Sequence, residues 1–462
     1  MKLIYQPQDK PKFPQLIPLA FQQLLAIMAA TIAVPMIIGN GMDTAAALFG
    51  AGVGSLVYLL FTQFKSPVFL GSSFAFLGSM GAAFAGAATV ELGYLGLLLG
   101  ALFAGLVYVV LAIVVKAVGV DWINKLMPAV VIGSTVAIIG LSLAGNAAGD
   151  LVKGSVLDGD GNPVASPHAA MICGLVTLAV TMLCSVFGKK MVRMIPFIIG
   201  ILAGYAVALI FTLTGAEPLR IISFDGFRAL TADGVGLSTF IALPDFTFLK
   251  AFGGFGELSG TYLASVAVAY IPVAFVVFAE HIADHKNISS IIEKDLLKDP
   301  GLHRTLLGDG VGSIAGAFFG GCPNTTYGES IGCVAISGNA SVITIFCTAI
   351  LAILISFISP FRAFLASIPS CVMGGVCIAL YGFIAVSGLK MVQKVDLEDN
   401  RNLFVVSTIL ICGIGGLTVS FGKVTITSIA TALILGILVN IMLGGGKKRE
   451  EVPQEKADPD KE

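Results

Sequence analysis

The sequence predicts an all-α membrane protein whose fourteen transmembrane spans form two inverted repeats of seven. Three observations lead to this prediction. The 462 residues are 56% hydrophobic and only 12% charged, whereas about a quarter of the residues in soluble domains are charged. Apolar runs close to the length of about 20 residues that crosses the hydrocarbon recur along the whole chain. Glycine, proline and polar residues interrupt two of these runs, and the two stand seven spans apart.

The apolar runs place each span in turn. Residues 148–168 and 215–258 are rich in Gly, Asp and Pro and are expected to be loops outside the bilayer, the second of them extracellular. Residues 446–462 are expected to form a cytoplasmic tail. The spans are expected at 17–38, 44–63, 67–86, 92–115, 127–147, 169–187, 194–214, 261–284, 305–320, 324–338, 341–360, 369–389, 402–421 and 425–445.

The basic residues predict that both termini lie in the cytoplasm. With the N-terminus inside and the chain alternating, most of the 27 Lys and Arg residues fall in cytoplasmic segments, which is the usual bias of membrane proteins. If the count were shifted by one span, the basic residues would no longer be concentrated in the cytoplasmic segments. Because seven is odd, two repeats of seven spans have opposite topology, as in many secondary transporters.

The two interrupted runs are the third and the tenth. The third contains Ser66-Pro67 and Gly71-Ser-Ser-Phe-Ala-Phe76, and the tenth contains Gly320-Gly-Cys-Pro323-Asn-Thr-Thr-Tyr-Gly328. Corresponding interruptions in two halves point to a binding site near the middle of the membrane. The alternative is that both are ordinary glycine-rich packing helices. Free backbone amides in such segments can donate to a small planar molecule with alternating C=O and N–H edges.

Two glutamates lie in or beside apolar runs, Glu280 in the eighth span and Glu329 directly after the interruption of the tenth. A charged group in the middle of a span costs roughly 2.5–3.5 kcal/mol even on the most lenient scales. A purely structural bundle has no reason to bury such groups. Both glutamates are therefore candidate ligand-binding residues.

Asp284 follows Glu280 by four residues, so the two carboxylates share one face of a helix. In a low dielectric both do not comfortably ionise together, and the pair is a candidate proton carrier. His281 points elsewhere and is a further candidate for proton coupling. Asp284 and His285 have an alternative interpretation as solvated residues at the cytoplasmic interface, and for His285 that interpretation is favoured.

Other buried polar residues have structural interpretations. Asp309 is either a relay member or the cap of the ninth span, and the cap is favoured. Gln22 and Gln23 are expected to form hydrogen bonds between helices, although one of them can face a cavity. Tyr327 and Tyr381 are expected to pack with satisfied hydroxyls.

The composition excludes several classes of protein. The eight Cys residues are scattered singly in apolar runs, so neither a disulfide framework nor a metal site is expected. No basic stripe indicates a nucleic-acid partner. No nucleophile, metal or cofactor motif supports a membrane-embedded enzyme.

Four runs together resemble the nucleobase:cation symporter-2 (nucleobase–ascorbate transporter) family, and within it the bacterial uracil:proton symporters. They are Phe278-Ala-Glu280-His-Ile-Ala-Asp284, the run from Glu293 to Arg304, Pro323-Asn-Thr-Thr-Tyr-Gly-Glu329-Ser-Ile-Gly and Gly71-Ser-Ser-Phe-Ala-Phe76. The resemblance extends from Pro18 to about Leu443.

The resemblance implies an organisation into domains. A core would contain spans 1–4, within residues 1–147, and spans 8–11, within 261–360. A gate would contain span 5, spans 6–7 within 169–214, and spans 12–14 within 369–445. Spans 3 and 10 would each contain a short strand and a half-helix, and the protein would form homodimers through the gate.

The resemblance also assigns roles at the site. Glu280 and Glu329 match the glutamates that accept hydrogen bonds from the ring nitrogens of uracil. Phe74 and Gly328 match positions whose backbone N–H groups meet the pyrimidine carbonyls, and Tyr327 lies beside them. Gln23 and Ser73 are further candidates for the pocket.

Two departures keep an alternative substrate open. Asp284 stands where uracil symporters typically carry His, and an acid there is typical of the xanthine and urate branch. Gln22-Gln23 stands where the family often has Gln-His. The expected function is proton-coupled import of uracil by alternating access across a bacterial inner membrane, and the alternative is a xanthine or urate permease. No cofactor is expected, and sodium is the less favoured coupling ion.

Overall fold

The computed structural model describes residues 3–119, 128–159, 162–189, 191–232, 234–421 and 424–444. The predicted tail at 446–462, the first residue of the predicted fifth span and the last residue of the predicted fourteenth span lie outside the described residues. Within them the chain is mostly helical, as predicted.

A helix lies in each predicted span, and these helices are labelled in chain order. They are α1 Phe13–Ile38, α2 Thr44–Phe61, α3 Leu77–Ala85, α4 Val90–Val118, α5 Ala129–Ser142, α6 Pro167–Phe187, α7 Pro196–Leu213, α8 Gly260–Ile292, α9 Leu302–Gly320, α10 Gly328–Ser337, α11 Val342–Ile355, α12 Ser370–Val392, α13 Asn400–Ile414 and α14 Ser428–Leu443.

Eight stretches of the described chain are helical, long and apolar enough to cross a membrane. They comprise α1, α2, α4, α6, α7, α8, α12 and the stretch from α5 through the following short helix. The segment Phe74–Ala85 and helices α11, α13 and α14 are apolar but shorter. The length and composition of these helices agree with a multi-pass membrane protein, whereas the count of fourteen crossings stays a prediction.

The segments between the predicted spans contain short helices. The predicted extracellular loop at 215–258 is a series of single helical turns. Short helices lie at Ala144–Asp150, Met191–Met194, Glu217–Leu219, Asp225–Ala229, Leu237–Phe240, Thr247–Ala251, Phe252–Glu257, Leu297–Gly301 and Ser359–Ser367.

The two interrupted spans meet in the middle of the fold. Strand β1, Leu70–Ser72, precedes a 3₁₀ turn at Phe74–Phe76 and then α3, and strand β2, Asn324–Thr326, precedes α10. The strands are antiparallel, with Gly71 opposite Thr325. The pairing provides hydrogen bonds to backbone groups that would have no partner in hydrocarbon. Each interrupted segment therefore stabilises the non-helical backbone of the other.

A second pair of strands corrects the predicted ends of the last two spans. The helix expected at 402–421 ends at Ile414, and the helix expected from 425 begins at Ser428. Between them β3, Val419–Phe421, pairs with β4, Val424–Ile426. Gly415 and Gly416 follow the helix, and Gly416 has a φ of 71°, a left-handed conformation that ends a helix.

Helix α8 is longer than the predicted span at 261–284, because it continues to Ile292. Ile288 and Ile292 are buried in the added turns, whereas Lys286 and Asn287 are exposed. The added turns are thus amphipathic. A prediction that requires a continuous apolar run therefore places the end of the helix too early. Asp284 and His285 consequently lie inside the helix and not at its end.

Close helix packing holds the strands in place. Helix α9 packs against α2 and α4, and α12 packs against α5. Where α2 crosses α9, a Cβ atom added to Gly50 would collide with the carbonyl group of Gly316. Small residues let helices approach closely in lipid. Asn324 of β2 lies against this crossing, where its Nδ2 donates to the Gly50 carbonyl at 3.1 Å.

Candidate functional site

The paired strands bring the starts of two helices to one place. β1 leads into the turn at Phe74–Phe76 and β2 leads into α10, and neither start has a side-chain cap. The first N–H groups of a helix have no partner within the helix, and this end carries a partial positive charge. Backbone donors at Phe74 and Gly328 are therefore available to a ligand.

A cavity of about 60 Å³ lies at this point. Six predicted site residues line it together, although they come from three separate stretches of sequence. Apolar side chains of α5 and α12 close the opposite wall. The residues that line the cavity are Ser73, Phe74, Ala75, Val136, Ile139, Glu280, Thr325, Thr326, Tyr327, Gly328, Glu329 and Ile384.

A second cavity of about 380 Å³ shares Glu280, Gly328 and Glu329 with the first. Its volume lies within the usual range for small-molecule sites. Asp284 lines this cavity as well, and the far end is lined by Arg193 and other residues that the charge pattern places near the cytoplasm. A route of cavities therefore leads from the two glutamates toward the predicted cytoplasmic side.

Hydrogen bonds hold two residues of the site in position. The Tyr327 hydroxyl donates to the Ser72 carbonyl of β1 at 2.6 Å, which confirms the prediction of a satisfied hydroxyl. Thr326 Oγ1 donates to Asp284 Oδ2 at 2.8 Å. Thr326 was missing from the predicted site, although it lies within the motif that suggested Tyr327 and Glu329.

His281 lies on another face of α8 and lines neither cavity. Its Nδ1 is 2.6 Å from Asp309 Oδ2, and its Nε2 is 3.0 Å from Thr305 Oγ1. His281 and Asp309 are both buried. The favoured interpretation of Asp309 as a cap is wrong, because α9 begins at Leu302 and Asp309 lies two turns inside it.

The interpretation of His285 as a solvated interface residue is also wrong, since its side chain is fully buried. Its Nδ1 donates to the His281 carbonyl at 2.8 Å, and its Nε2 is 2.7 Å from the Tyr58 hydroxyl. The Tyr58 hydroxyl is in turn 2.7 Å from Ser66 Oγ. The face of α8 opposite the cavities is thus occupied by a polar network.

The remaining predicted polar residues make structural contacts. Gln23 Nε2 donates to Ser330 Oγ at 2.8 Å, joining α1 to α10, and Gln22 contacts the sulfur of Met194. Neither glutamine lines the two cavities. The Tyr381 hydroxyl lies beside the thiol of Cys377, four residues earlier on α12, and its being satisfied stays a prediction. Its ring packs edge-on against Phe74.

A larger cavity, of about 580 Å³, lies among the segments that the charge pattern places outside. It is lined by Asp43 and Arg362, whose side chains form an ion pair at 2.9 Å. None of the predicted site residues lines it. By volume alone this cavity would be chosen as the functional site. The predicted site residues, however, line the two cavities described above.

The chain is similar to known permeases over nearly its whole length. The sequence profile described as Permease family, of the xanthine and uracil permease type, matches residues 14–421. The chain is 36% identical to the uracil permease of Bacillus caldolyticus over 447 residues, covering 96% of this chain and 95% of that protein. It is also 36% identical to the uracil permease of Escherichia coli strain K12, covering 94% and 92%.

The fold is similar to that of a solved anion transporter. The transmembrane domain of the cyanobacterial bicarbonate transporter BicA superposes with a TM-score of 0.61 at 16% identity, covering 94% of this chain and all of that domain. At this identity the similarity shows the fold alone. It confirms that the helices and interrupted segments form a membrane-transporter fold.

Proposed function

The chain belongs to the nucleobase:cation symporter-2 family of permeases and is a transporter, not an enzyme; on this premise we propose that it imports uracil together with a proton. The observation that carries the proposal is the cavity lined jointly by Glu280, Glu329 and the uncapped starts at Phe74 and Gly328. Relatives at 36% identity that are named uracil permease support the choice of substrate.

The chemistry of the cavity suits the edge of a pyrimidine. Uracil presents N–H groups and carbonyl oxygens in alternation around its ring. Carboxylates accept hydrogen bonds and backbone amides donate them. In the proposed complex Glu280 and Glu329 accept from the ring N–H groups, while the amides of Phe74 and Gly328 donate to the carbonyls. Tyr327 and Ser73 shape the walls.

The proposed coupling uses the carboxylates that face the cavities. A proton taken up by Glu280 or Asp284 neutralises one of two neighbouring acids and permits uracil to bind. Opening toward the cytoplasm then releases both. The cavity route toward Arg193 supports release on this side. The coupling ion in this proposal is the proton and not sodium, and no cofactor takes part.

The proposed architecture is fourteen spans in two inverted repeats of seven, with α1–α4 and α8–α11 as core and the remaining helices as gate. The antiparallel pairing of β1 with β2 supports a two-fold relation between the halves. Val136 of α5 and Ile384 of α12 complete the cavity wall, which supports a site between core and gate. Movement of one domain against the other would expose the site to alternate sides.

We further propose that the protein lies in a bacterial plasma membrane with both termini in the cytoplasm, as a homodimer through the gate. Helices α6 and α7 support the dimer, since only 28% and 33% of their apolar windows are buried in one chain, against 72% for α1. Lipid or a second copy must cover these faces. Molecular mass in a defined detergent, measured by light scattering, tests the dimer.

Uptake of labelled uracil into bacteria that lack their own permease tests the function. We expect uptake that an uncoupler abolishes and that replacement of sodium by choline does not change. Absence of uptake from correctly inserted protein would refute the proposal, and uptake that survives the uncoupler would refute the coupling.

Glu280→Gln tests the carboxylate directly, because it preserves shape while replacing one acceptor oxygen by a donor. We expect it to lose uptake. Glu398→Gln is the matched control, since Glu398 is exposed and lines neither cavity. Wild-type uptake by Glu280→Gln would count against the proposed site.

A second candidate substrate is xanthine or urate, and Asp284 is the observation that favours it. Asp284 lines the larger cavity beside Glu280, and the purine members of the family typically have an acid there. Competition by unlabelled xanthine against labelled uracil separates the two. We expect unlabelled uracil to compete and an equal concentration of xanthine to have little effect.

A further inference from the structure

Behind the proposed site lies a small buried cavity of about 10 Å³, between α4, α9 and β2. Three oxygen atoms of the residues lining it have no hydrogen-bond partner among the described residues. They are Tyr108 Oη, Asp309 Oδ1 and Asn324 Oδ1. The three residues are only 3%, 1% and 1% exposed. Buried polar groups are normally paired, so three such atoms around one cavity indicate a ligand.

The orientation of these groups determines what the ligand must do. Asn324 Nδ2 donates to the Gly50 carbonyl, which places Oδ1 as the remaining, accepting end of the amide. Asp309 uses Oδ2 toward His281 and leaves Oδ1 as an acceptor. The Tyr108 hydroxyl has a single proton to donate. Two acceptors therefore need a particle that supplies two donors, or a positive charge.

The charge of the neighbouring pair decides between these two possibilities. Thr305 Oγ1 donates to the Leu302 carbonyl at 3.0 Å, so toward His281 it accepts, and His281 Nε2 carries a proton. The distance of 2.6 Å between His281 Nδ1 and Asp309 Oδ2 requires a proton between these atoms as well. Whichever atom holds that proton, the pair as a whole is neutral.

A metal cation in the cavity would thus add an uncompensated positive charge to a buried region, which is costly. Asp309 is the only carboxylate among the described residues that line this cavity, since Glu280 and Asp284 face the cavities on the other side of α8. A neutral particle with two donors fits better. A volume of about 10–15 Å³ on this measure accommodates one water molecule, and buried waters typically make about three hydrogen bonds.

We propose that this cavity is a binding site for one water molecule, which donates to Asp309 Oδ1 and Asn324 Oδ1 and accepts from the Tyr108 hydroxyl. The water joins α4, α9 and β2 into one hydrogen-bonded unit directly behind the strand that shapes the proposed substrate site. This proposal does not depend on the identity of the substrate.

The direct test is an experimental structure of the full chain, at a resolution that shows ordered water elsewhere in its interior. We expect a solvent peak about 2.7–3.2 Å from each of the three oxygens, unchanged when sodium is replaced by thallium. An empty cavity in such a map would overturn the proposal. A peak that gains density with thallium would identify a cation site and overturn it too.

A pair of tyrosine variants provides a second test that does not require a map. Tyr108→Phe removes a partner of the water, and Tyr270→Phe removes a buried hydroxyl that also has no described partner but does not line this cavity. Loss of a bonded hydroxyl destabilises, whereas loss of an unpartnered one is neutral or stabilising.

We therefore expect Tyr108→Phe to melt below the wild type in detergent and Tyr270→Phe to melt at or above it. Equal melting temperatures for the two variants would overturn the proposal. The same measurement in sodium chloride and choline chloride of equal ionic strength should give equal melting temperatures for the wild type. A rise specific to sodium that Asp309→Asn abolishes would instead establish a cation site.

Discussion

Replacement of Gly316 by Ala tests whether the crossing of α2 and α9 positions the strand beneath the site. A Cβ atom at Gly316 would collide with the side-chain amide of Asn324. That amide is nearly fully buried and donates to the Gly50 carbonyl at 3.1 Å. Because Asn324 begins β2, the collision displaces the start of the strand that lines the proposed site.

The size of the effect follows from three contributions. Inserting a methyl group into a close-packed contact costs about 1–3 kcal/mol. Separating the Asn324 amide from the Gly50 carbonyl leaves buried polar groups unpaired, at a cost of about 1–3 kcal/mol. The better helix propensity of Ala returns about 1 kcal/mol. The expected loss of stability from these contributions is about 1–5 kcal/mol.

The assay is the melting temperature of the purified protein in detergent, paired with uracil uptake at matched expression. Gly81→Ala is the control, since none of the described residues comes within 4 Å of a Cβ atom built there. We expect Gly81→Ala to melt slightly above the wild type and Gly316→Ala to melt clearly below it with reduced uptake. A Gly316→Ala protein with wild-type melting and uptake would show that the crossing of α2 and α9 does not position β2.

Three further outcomes are expected. Glu329→Gln should weaken uracil binding about 10–150-fold, because a hydrogen bond to a charged group contributes about 1.5–3 kcal/mol. Competition binding measures the affinity, and an unchanged affinity would exclude Glu329 from the site. Gln23→Leu should destabilise by about 1 kcal/mol, seen as a lower melting temperature, since it removes the 2.8 Å bond to Ser330. Arg362→Gln should destabilise the fold by about 1–3 kcal/mol, because it removes the ion pair of the largely buried Asp43 and leaves that carboxylate only its hydrogen bonds from the backbone N–H groups of Ala45 and Asp245. Lys298→Gln, in an exposed pair at 3.6 Å, should leave the melting temperature unchanged, and equal effects would contradict the role of burial.

Much of the fold could be predicted because lipid imposes simple local rules. Runs of apolar residues located every labelled helix to within a few residues at most ends. The interruptions at Gly71–Phe76 and Pro323–Gly328 located the breaks in the third and tenth spans, since glycine, proline and polar residues break a helix in the same way wherever they occur. The short strands at these breaks were implied only by the family resemblance. Prediction failed at the end of α8, where amphipathic turns continue past Asp284, and at the end of α13, where paired glycines precede a hairpin.

The candidate site was predictable in part for the same reason. Glu280 and Glu329 stood out because a buried acid in an apolar run is costly, and the structure places both on one cavity. Thr326, Val136 and Ile384 were not predicted, because a threonine or an aliphatic residue is unremarkable in any span. Asp309 was misinterpreted because its partner, His281, lies 28 residues earlier in the chain.

The sequence alone is enough to predict the class of the protein, where its helices lie and break, and the two acids of the candidate site. These depend on the composition of short segments and on the cost of polar groups in hydrocarbon. The packed structure was needed to establish that β1 pairs with β2, that Asp284 faces a cavity and that His281 faces Asp309. Helices that are apolar all round carry no stripe that shows which face meets which neighbour, so these pairings emerge only when the helices pack.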